Sequence, residues 1–302
     1  MAFEVMKKMR KDGKLLKNVD PMYSLAAYFM QERYDAQNMI TVKVPYDPIH
    51  DYVLEARKKG HKLSHLSVVT AAMIRGIAEY PKLNRFVVHN RIYARNELTV
   101  GMVVLRPGDD ADPSMSKMKF DLYDTVFDVN DKMTSYIEEN NKATSNNDSD
   151  KLFRKLVGLS FLVRPLMALF RFLDRHGILP KKIIDLSPFH NTFTITNLAS
   201  IRTNHIYHHV YGFGTTSMLV SMGVNVEEPY QDGDQVKLKK MIPLGIVMDE
   251  RIASGCYYAH AFDGISKYLK NPELLELPPE NVKVDYEFEG LSEHFKKEKK
   301  SK

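Results

Sequence analysis

MIPLGIVMDERIASGCYYAHAFDGISKYLKNPELLELPP (241–279) is the stretch whose reading decides the fold. It opens on a run rich in apolar and β-branched residues, which suits a strand. QDGD (231–234) precedes it and signals a hairpin, so the strand reads as QVKLKKMIPLGIVMD (235–249). A turn follows, then a helix over 256–270 and a short PELLEL turn.

Working backwards, TTSMLVSMGV (215–224) and TFTITNL (192–198) read as two more strands. Before them lies LFRKLVGLSFLVRPLMALFRFLDRHGILP (152–180), the most apolar segment of the chain, which Pro165 should kink or interrupt. KATSNNDSD (142–150) is polar and without periodicity and reads as a linker. In the first half, helices are expected over 22–36, 48–59 (ending at Gly60), 63–80 (capped by Ser64 or Ser67) and 124–140. Strands are expected at 39–44, 86–89, 91–94 and 97–105, with a turn-rich loop at 106–116. Strands and helices mix without strict alternation, which points to an α+β two-layer sandwich with a mixed β-sheet. The expected organisation is a polar lead-in (1–20), one domain (21–280) carrying an apolar helical insertion (150–186), and a basic tail (281–302).

Composition narrows the functional classes. The 302 residues are 44% hydrophobic and 27% charged, as in an ordinary globular domain. The single cysteine, Cys256, excludes an internal disulfide and a zinc–cysteine cluster. No signal peptide and no membrane span is indicated, so the cytoplasm is expected. The net charge of +5 gathers largely at the two ends, and no aromatic residues interleave the basic runs as in a nucleic-acid motif, so no nucleic acid is expected as partner. GFGTT (212–216) does not follow a strand-to-helix pattern and is no dinucleotide site. His205, His208 and His209 fall in HIYHH without a carboxylate or cysteine at ligand spacing, so no metal site is expected.

Three segments in order resemble the superfamily of chloramphenicol acetyltransferase and the dihydrolipoyl acyltransferases. PKLNRFVVHNRIYARNELTVGMVVL (81–105) resembles the family's P-x-x-N helix end and following strands; TFTITNL (192–198) its F-T-I-S-N-L-G strand; and residues 241–279 its strand, D-H-R-x-x-D-G turn and closing helix. HAFDG (260–264) competes for the third motif, but only two residues separate His260 from Asp263, one fewer than the family needs. DERIASG (249–255) keeps Asp249, Arg251 and Gly255 in place and reaches NPELL without a gap, and is the register adopted.

The resemblance implies acyl transfer from coenzyme A, as acyl-CoA substrate, to an acceptor that the sequence does not name. A histidine would take the thiol proton and a hydroxyl would steady the oxyanion. Thr196 matches the hydroxyl, Glu250 stands on the histidine and Ser254 on the motif's aspartate. Asn197, Arg251, His208 and His209 are the expected substrate-binding residues. A glutamate near pKa ~4.3 facing a thiol near ~8.5 is short of the transfer by roughly 4 units, about 6 kcal/mol, where a histidine faces about half that gap. Full burial could raise the glutamate by ~3–5 units. The alternative is a non-catalytic homologue that binds acyl-CoA or a protein partner. Without a lipoyl domain or alanine-proline linker ahead of it, the chain resembles a free-standing acetyltransferase. The family's assembly implies a homotrimer. Residues 152–180 read as an amphipathic helix pair packed over the core, as a lid over the acyl channel or as a helix in contact with a membrane surface, and the expectation is the lid.

Overall fold

A computed structural model describes residues 10–105, 113–140, 151, 155, 158 and 160–285. Strand β10 (Gln235–Asp249) organises it. Its apolar second half pairs antiparallel with β2 (Gln37–Pro45) and β8 (Met218–Met222), while its exposed first half pairs only with β9 (Val226–Asp232). The sheet continues from β8 through β7 (Phe193–Asn197) and β5 (Leu98–Leu105) to β6 (Pro113–Phe120). β7 runs parallel to both neighbours and every other pair is antiparallel, so the sheet is mixed.

Side-chain alternation gives the sheet two different faces. Ile40, Ile246, Val220 and Ile195 share one row across four strands and pack into the core. The next row is Thr41, Gly245, Ser221 and Thr196, small and polar. The apolar face takes the helices: α2 (Tyr46–Lys58), α3 (His65–Glu79), α4 (Val126–Asn140) and α7 (Gly255–Lys270). α3 is buried at every position from Leu66 to Ala78 because α2, α4 and α7 surround it. Its start is fixed by Ser64, whose Oγ accepts from Ser67 N at 3.0 Å. Gly76 lets α7 approach: a Cβ there would lie 2.3 Å from Cγ1 of Ile265. This is the expected α+β two-layer architecture.

A second sheet, β1 (Gly13–Leu15), β4 (Arg91–Arg95) and β3 (Arg85–Val88), stands beside the first. Its β3–β4 turn places His89 and Asn90 at φ 50° and 59°, the left-handed pair that a two-residue hairpin needs. Arg10 and Arg95 stack on Phe86 at 5.2 and 4.5 Å.

Several boundaries depart from the sequence reading. The first helix, α1 (Pro21–Phe29), stops well short of residue 36, because Arg33 turns inward to donate to the carbonyls of Tyr211 (2.9 Å) and Val87 (3.0 Å). The last four residues of the expected 106–116 loop, 113–116, belong to β6. The lead-in is tied down: Arg10 is buried between Asp12 (2.8 Å) and Asp174 (2.8 Å). The start of the tail is also anchored, since Asp285 forms a buried ion pair with Arg85 at 2.6 Å. The expected linker 142–150 and the rest of the tail lie outside the described residues.

Of the apolar insertion, α5 (Ser160–Arg175) and α6 (Lys181–Leu186) are described. Pro165 sits inside α5 and does not end it. Proline frees the carbonyl four residues back, and Phe161 is 80% exposed, so water can take that carbonyl. α5 is moored near its end by Asp174, which accepts from Arg10 and lies 3.4 Å from Nε2 of His190. His190 Nδ1 meets Ser187 Oγ at 2.7 Å. Burial lowers the pKa of His190 despite the neighbouring carboxylate, so the folded ring is neutral. Burial would raise Asp174, but His190 and the Arg10 guanidinium outweigh it and hold the carboxyl well below the usual range.

A neutral buried imidazole gains a proton only on unfolding, so the unfolded state binds more protons below the unfolded pKa of ~6.5 and stability falls there as pH falls. Urea unfolding between pH 7 and pH 5 is expected to show this loss, at up to about 1.4 kcal/mol per pH unit. His190→Gln is expected to reduce the slope over that window.

Candidate active site

The turn after β10 is built around a carboxylate removed from water. Asp249 is 0% exposed. Arg251 grips it with two hydrogen bonds, Nε to Oδ1 at 2.8 Å and Nη2 to Oδ2 at 2.7 Å, and the backbone N–H of Arg251 donates to Oδ1 at 3.1 Å. Arg33 stands on the other side, with Nε 3.7 Å from Oδ2. Arg251 Nη1 also donates to the carbonyl of Met30 at 3.0 Å, and Tyr258 donates to the Asp249 carbonyl at 2.8 Å. Burial pulls the Arg33 pKa down to about 10, with Asp249 opposing the fall.

Glu250 projects from this fixed turn. Its side chain is exposed, while its backbone N–H is held by Ala36 O at 2.8 Å. Ser254, on the motif's aspartate position, caps α7, accepting from Tyr257 N at 3.1 Å. A cap is what serine offers here: it satisfies one of the free N–H groups at a helix start.

Thr196 lies elsewhere in the chain. It pairs with Ser221, which pairs with Gly245, five residues before Glu250 on β10. That separates the two by about 16 Å along the strands and roughly 10 Å across them. Within one chain they occupy opposite ends of the sheet. Thr196 is half-buried on the polar face, and the neighbouring Asn197 holds its Oδ1 buried without a hydrogen-bond partner.

The polar face is crossed by residues 203–211. Ser221 Oγ accepts from Ile206 N at 3.1 Å, and Gly245 leaves the room: a Cβ there would lie 2.6 Å from Ile206 O and 2.9 Å from His205 Cδ2. His205 Nε2 meets Thr41 Oγ1 at 2.9 Å, which also meets Tyr207 Oη at 2.5 Å. Nδ1 of His205 is buried without a partner. His208 and His209 stack on each other at 4.9 Å, and His208 Nδ1 meets the His209 carbonyl at 3.0 Å. No group of three metal-ligating side chains occurs among the described residues. His260 is exposed on α7.

The structure thus joins Asp249, Glu250, Arg251 and Ser254 at one end of the sheet and Thr196 and Asn197 at the other. The sequence reading missed Arg33 and Thr41. Arg33 sits in QERYD, which helical spacing presents as a helix surface, and nothing local marks it as buried.

Residues 187–277 match the family described as 2-oxoacid dehydrogenases acyltransferase (catalytic domain). No match to a curated protein sequence was found. A probable dihydrolipoamide acetyltransferase from Listeria monocytogenes is similar at 12% identity, over 84% of this chain and 94% of that one, with a TM-score of 0.54. The dihydrolipoamide acetyltransferase of Azotobacter vinelandii, studied for a serine, a histidine and an asparagine in its catalytic mechanism, gives 13%, 87%, 91% and 0.55. A chloramphenicol acetyltransferase gives 9%, 85%, 100% and 0.54. The chain has the chloramphenicol acetyltransferase-like fold. No described helix is long and apolar enough to cross a membrane.

The turn's architecture separates two substitutions. Arg251→Met removes the main partner of a fully buried carboxylate and is expected to cost about 3–5 kcal/mol. Ser254→Ala removes only a helix cap and is expected to cost about 1 kcal/mol. Urea unfolding of the two variants measures both.

Proposed function

We propose that the protein transfers an acyl group between coenzyme A and a second acceptor, at a site completed between two copies of the chain. The observation that carries this is the Glu250 turn. Its frame holds a buried aspartate, two arginines and a capped helix, and the motif departs at two positions, Glu250 for the family's histidine and the capping Ser254 for its aspartate. A frame of this kind has a use when the residue it presents must be held still. Thr196, the hydroxyl candidate, is too far from Glu250 in the same chain for proton transfer, which needs hydrogen-bond reach or one intervening water. A homotrimer, as in the family, would bring Thr196 of one copy to Glu250 of the next.

In this reading Glu250 accepts the thiol proton, Thr196 donates to the developing oxyanion, and Asn197, Arg251, His208 and His209 line the approach. Enclosure by the neighbouring copy would take Glu250 out of water. The second reading, an acyl-CoA-binding protein without turnover, is favoured by the conversion of the motif's charged position to a helix cap, Ser254. In both readings the protein works in the cytoplasm.

Acyl-CoA turnover with a thiol-release readout separates the readings. Glu250→Gln is expected to lower turnover by about 100- to 10,000-fold while leaving acyl-CoA binding nearly unchanged, because only proton transfer is removed. A glutamine variant at full rate would remove Glu250 from the mechanism, and a native chain that binds acyl-CoA without releasing thiol would favour the second reading.

A further inference from the structure

A cavity of about 350 Å³ opens between the Arg251 turn, the β3–β4 turn and α5. Four guanidiniums line it: Arg33 and Arg251 from the core side, Arg171 and Arg175 from α5. Asp249 serves both Arg33 and Arg251, and Glu32 serves Arg175 at 3.2 Å. Arg171, exposed on α5, forms no ion pair with a carboxylate among the described residues. Asp174 also lines the cavity, but it belongs with Asp12 to a separate set whose charges are balanced by Arg10 and the half-buried Arg95. The walls are therefore two negative charges short.

Arg171 and Arg175 are four residues apart and share a helix face, so their forks can act on one group. Guanidiniums match the oxygens of a phosphate in pairs, and a phosphomonoester near neutral pH carries most of the two missing charges. The cavity also does not end at the arginines. A groove of about 810 Å³ shares His89, Arg171 and Arg175 with it and continues along α5 over the apolar Val163, Met167, Ala168 and Phe172, with Arg164 and His176 also in its lining. A charged cavity running into an apolar groove fits a ligand with a charged head and a hydrocarbon chain.

We propose that this site binds a phosphomonoester amphiphile, its phosphate among Arg33, Arg171, Arg175 and Arg251 and its chain along α5. Binding is read directly, without turnover, so the inference stands or falls independently of acyl transfer.

The test is calorimetric titration of the full chain with inorganic phosphate, glycerol 3-phosphate, and butyl and hexyl phosphate, together with flotation on phosphatidylcholine vesicles with and without phosphatidic acid. Affinity is expected to rise from inorganic phosphate to hexyl phosphate, by up to about 4-fold for each methylene fully buried. Arg171→Glu, at an exposed position the fold does not depend on, is expected to weaken every phosphate probe by at least about tenfold, as loss and reversal of one charge–charge contact implies. Met167→Asp should flatten the chain-length series while leaving inorganic phosphate unchanged. Flotation only with phosphatidic acid, lost in Arg171→Glu, would assign the head to a lipid; binding of the soluble esters without flotation would assign it to a free metabolite. Failure of all phosphate probes to bind the native chain, or equal binding by Arg171→Glu, overturns the proposal, and a flat chain-length series in the native chain overturns its hydrocarbon half.

Discussion

Asp249 is the point on which the rest of the molecule turns. A carboxylate with no contact to water is tolerated only when paired and hydrogen-bonded. Here the pairing reaches into four separate parts of the chain. Arg251 follows it in the turn, Arg33 comes from the loop after α1, and Arg251 also holds the carbonyl at Met30. Arg33 in turn binds the carbonyls of Val87 on β3 and Tyr211 beyond the polar face. One buried charge thus fixes the end of the central strand, the exit of α1, the edge of the small sheet and the segment over the polar face. The sheet itself needs no such device, since its Ile246 row is sealed by α3 and α7.

That constraint explains why the Glu250 turn is rigid while its side chain is free to differ. The turn's shape is set by Asp249, Arg251, Ala36 and the Ser254 cap, none of which is the projecting group. Glutamate can therefore replace histidine without loss of the fold. The same logic separates stability from chemistry at this site. The residues whose removal would unfold the turn point inward, and the one proposed to move a proton points out.

The strands and the central helices were legible because their signal is local. QDGD followed by MIPLGIVMD gives both the hairpin and the buried strand, and Ser64 ahead of an apolar run gives the start of α3. The motif order pointed to the chloramphenicol acetyltransferase-like fold. What stayed hidden depends on contacts across the chain. Residues 22–36 carry helical spacing throughout, yet the helix ends at Phe29 because Arg33 is worth more as an inward partner of distant carbonyls and of Asp249. Arg10 and Asp285 sit in stretches that read as polar ends, and each is buried by an ion pair with a residue more than a hundred positions away. The same holds at the site: the position of Glu250 was readable from its motif, but its distance from Thr196 follows only from the strand register.

The register also decides what α5 can do. Phe193, Met218 and Met248 share a row at the end of the sheet where β7 begins and β10 ends, which is the Glu250 end. α5 is moored there, through Asp174 to Arg10 and to His190 just ahead of β7. It adjoins the Glu250 turn closely enough to share a cavity with Arg251. If copies associate so that Thr196 of one faces Glu250 of another, α5 flanks that junction from the Glu250 side. A helix so placed can select ligands only by what it presents to the cavity, and it presents two arginines and an apolar groove. The apolar character that made the segment conspicuous in the sequence is spent outward, on Phe161, Leu169 and Phe172, as much as inward. The helix's hold on the domain comes from the polar end instead, where one buried carboxylate joins it to the lead-in and to the strand that carries Thr196.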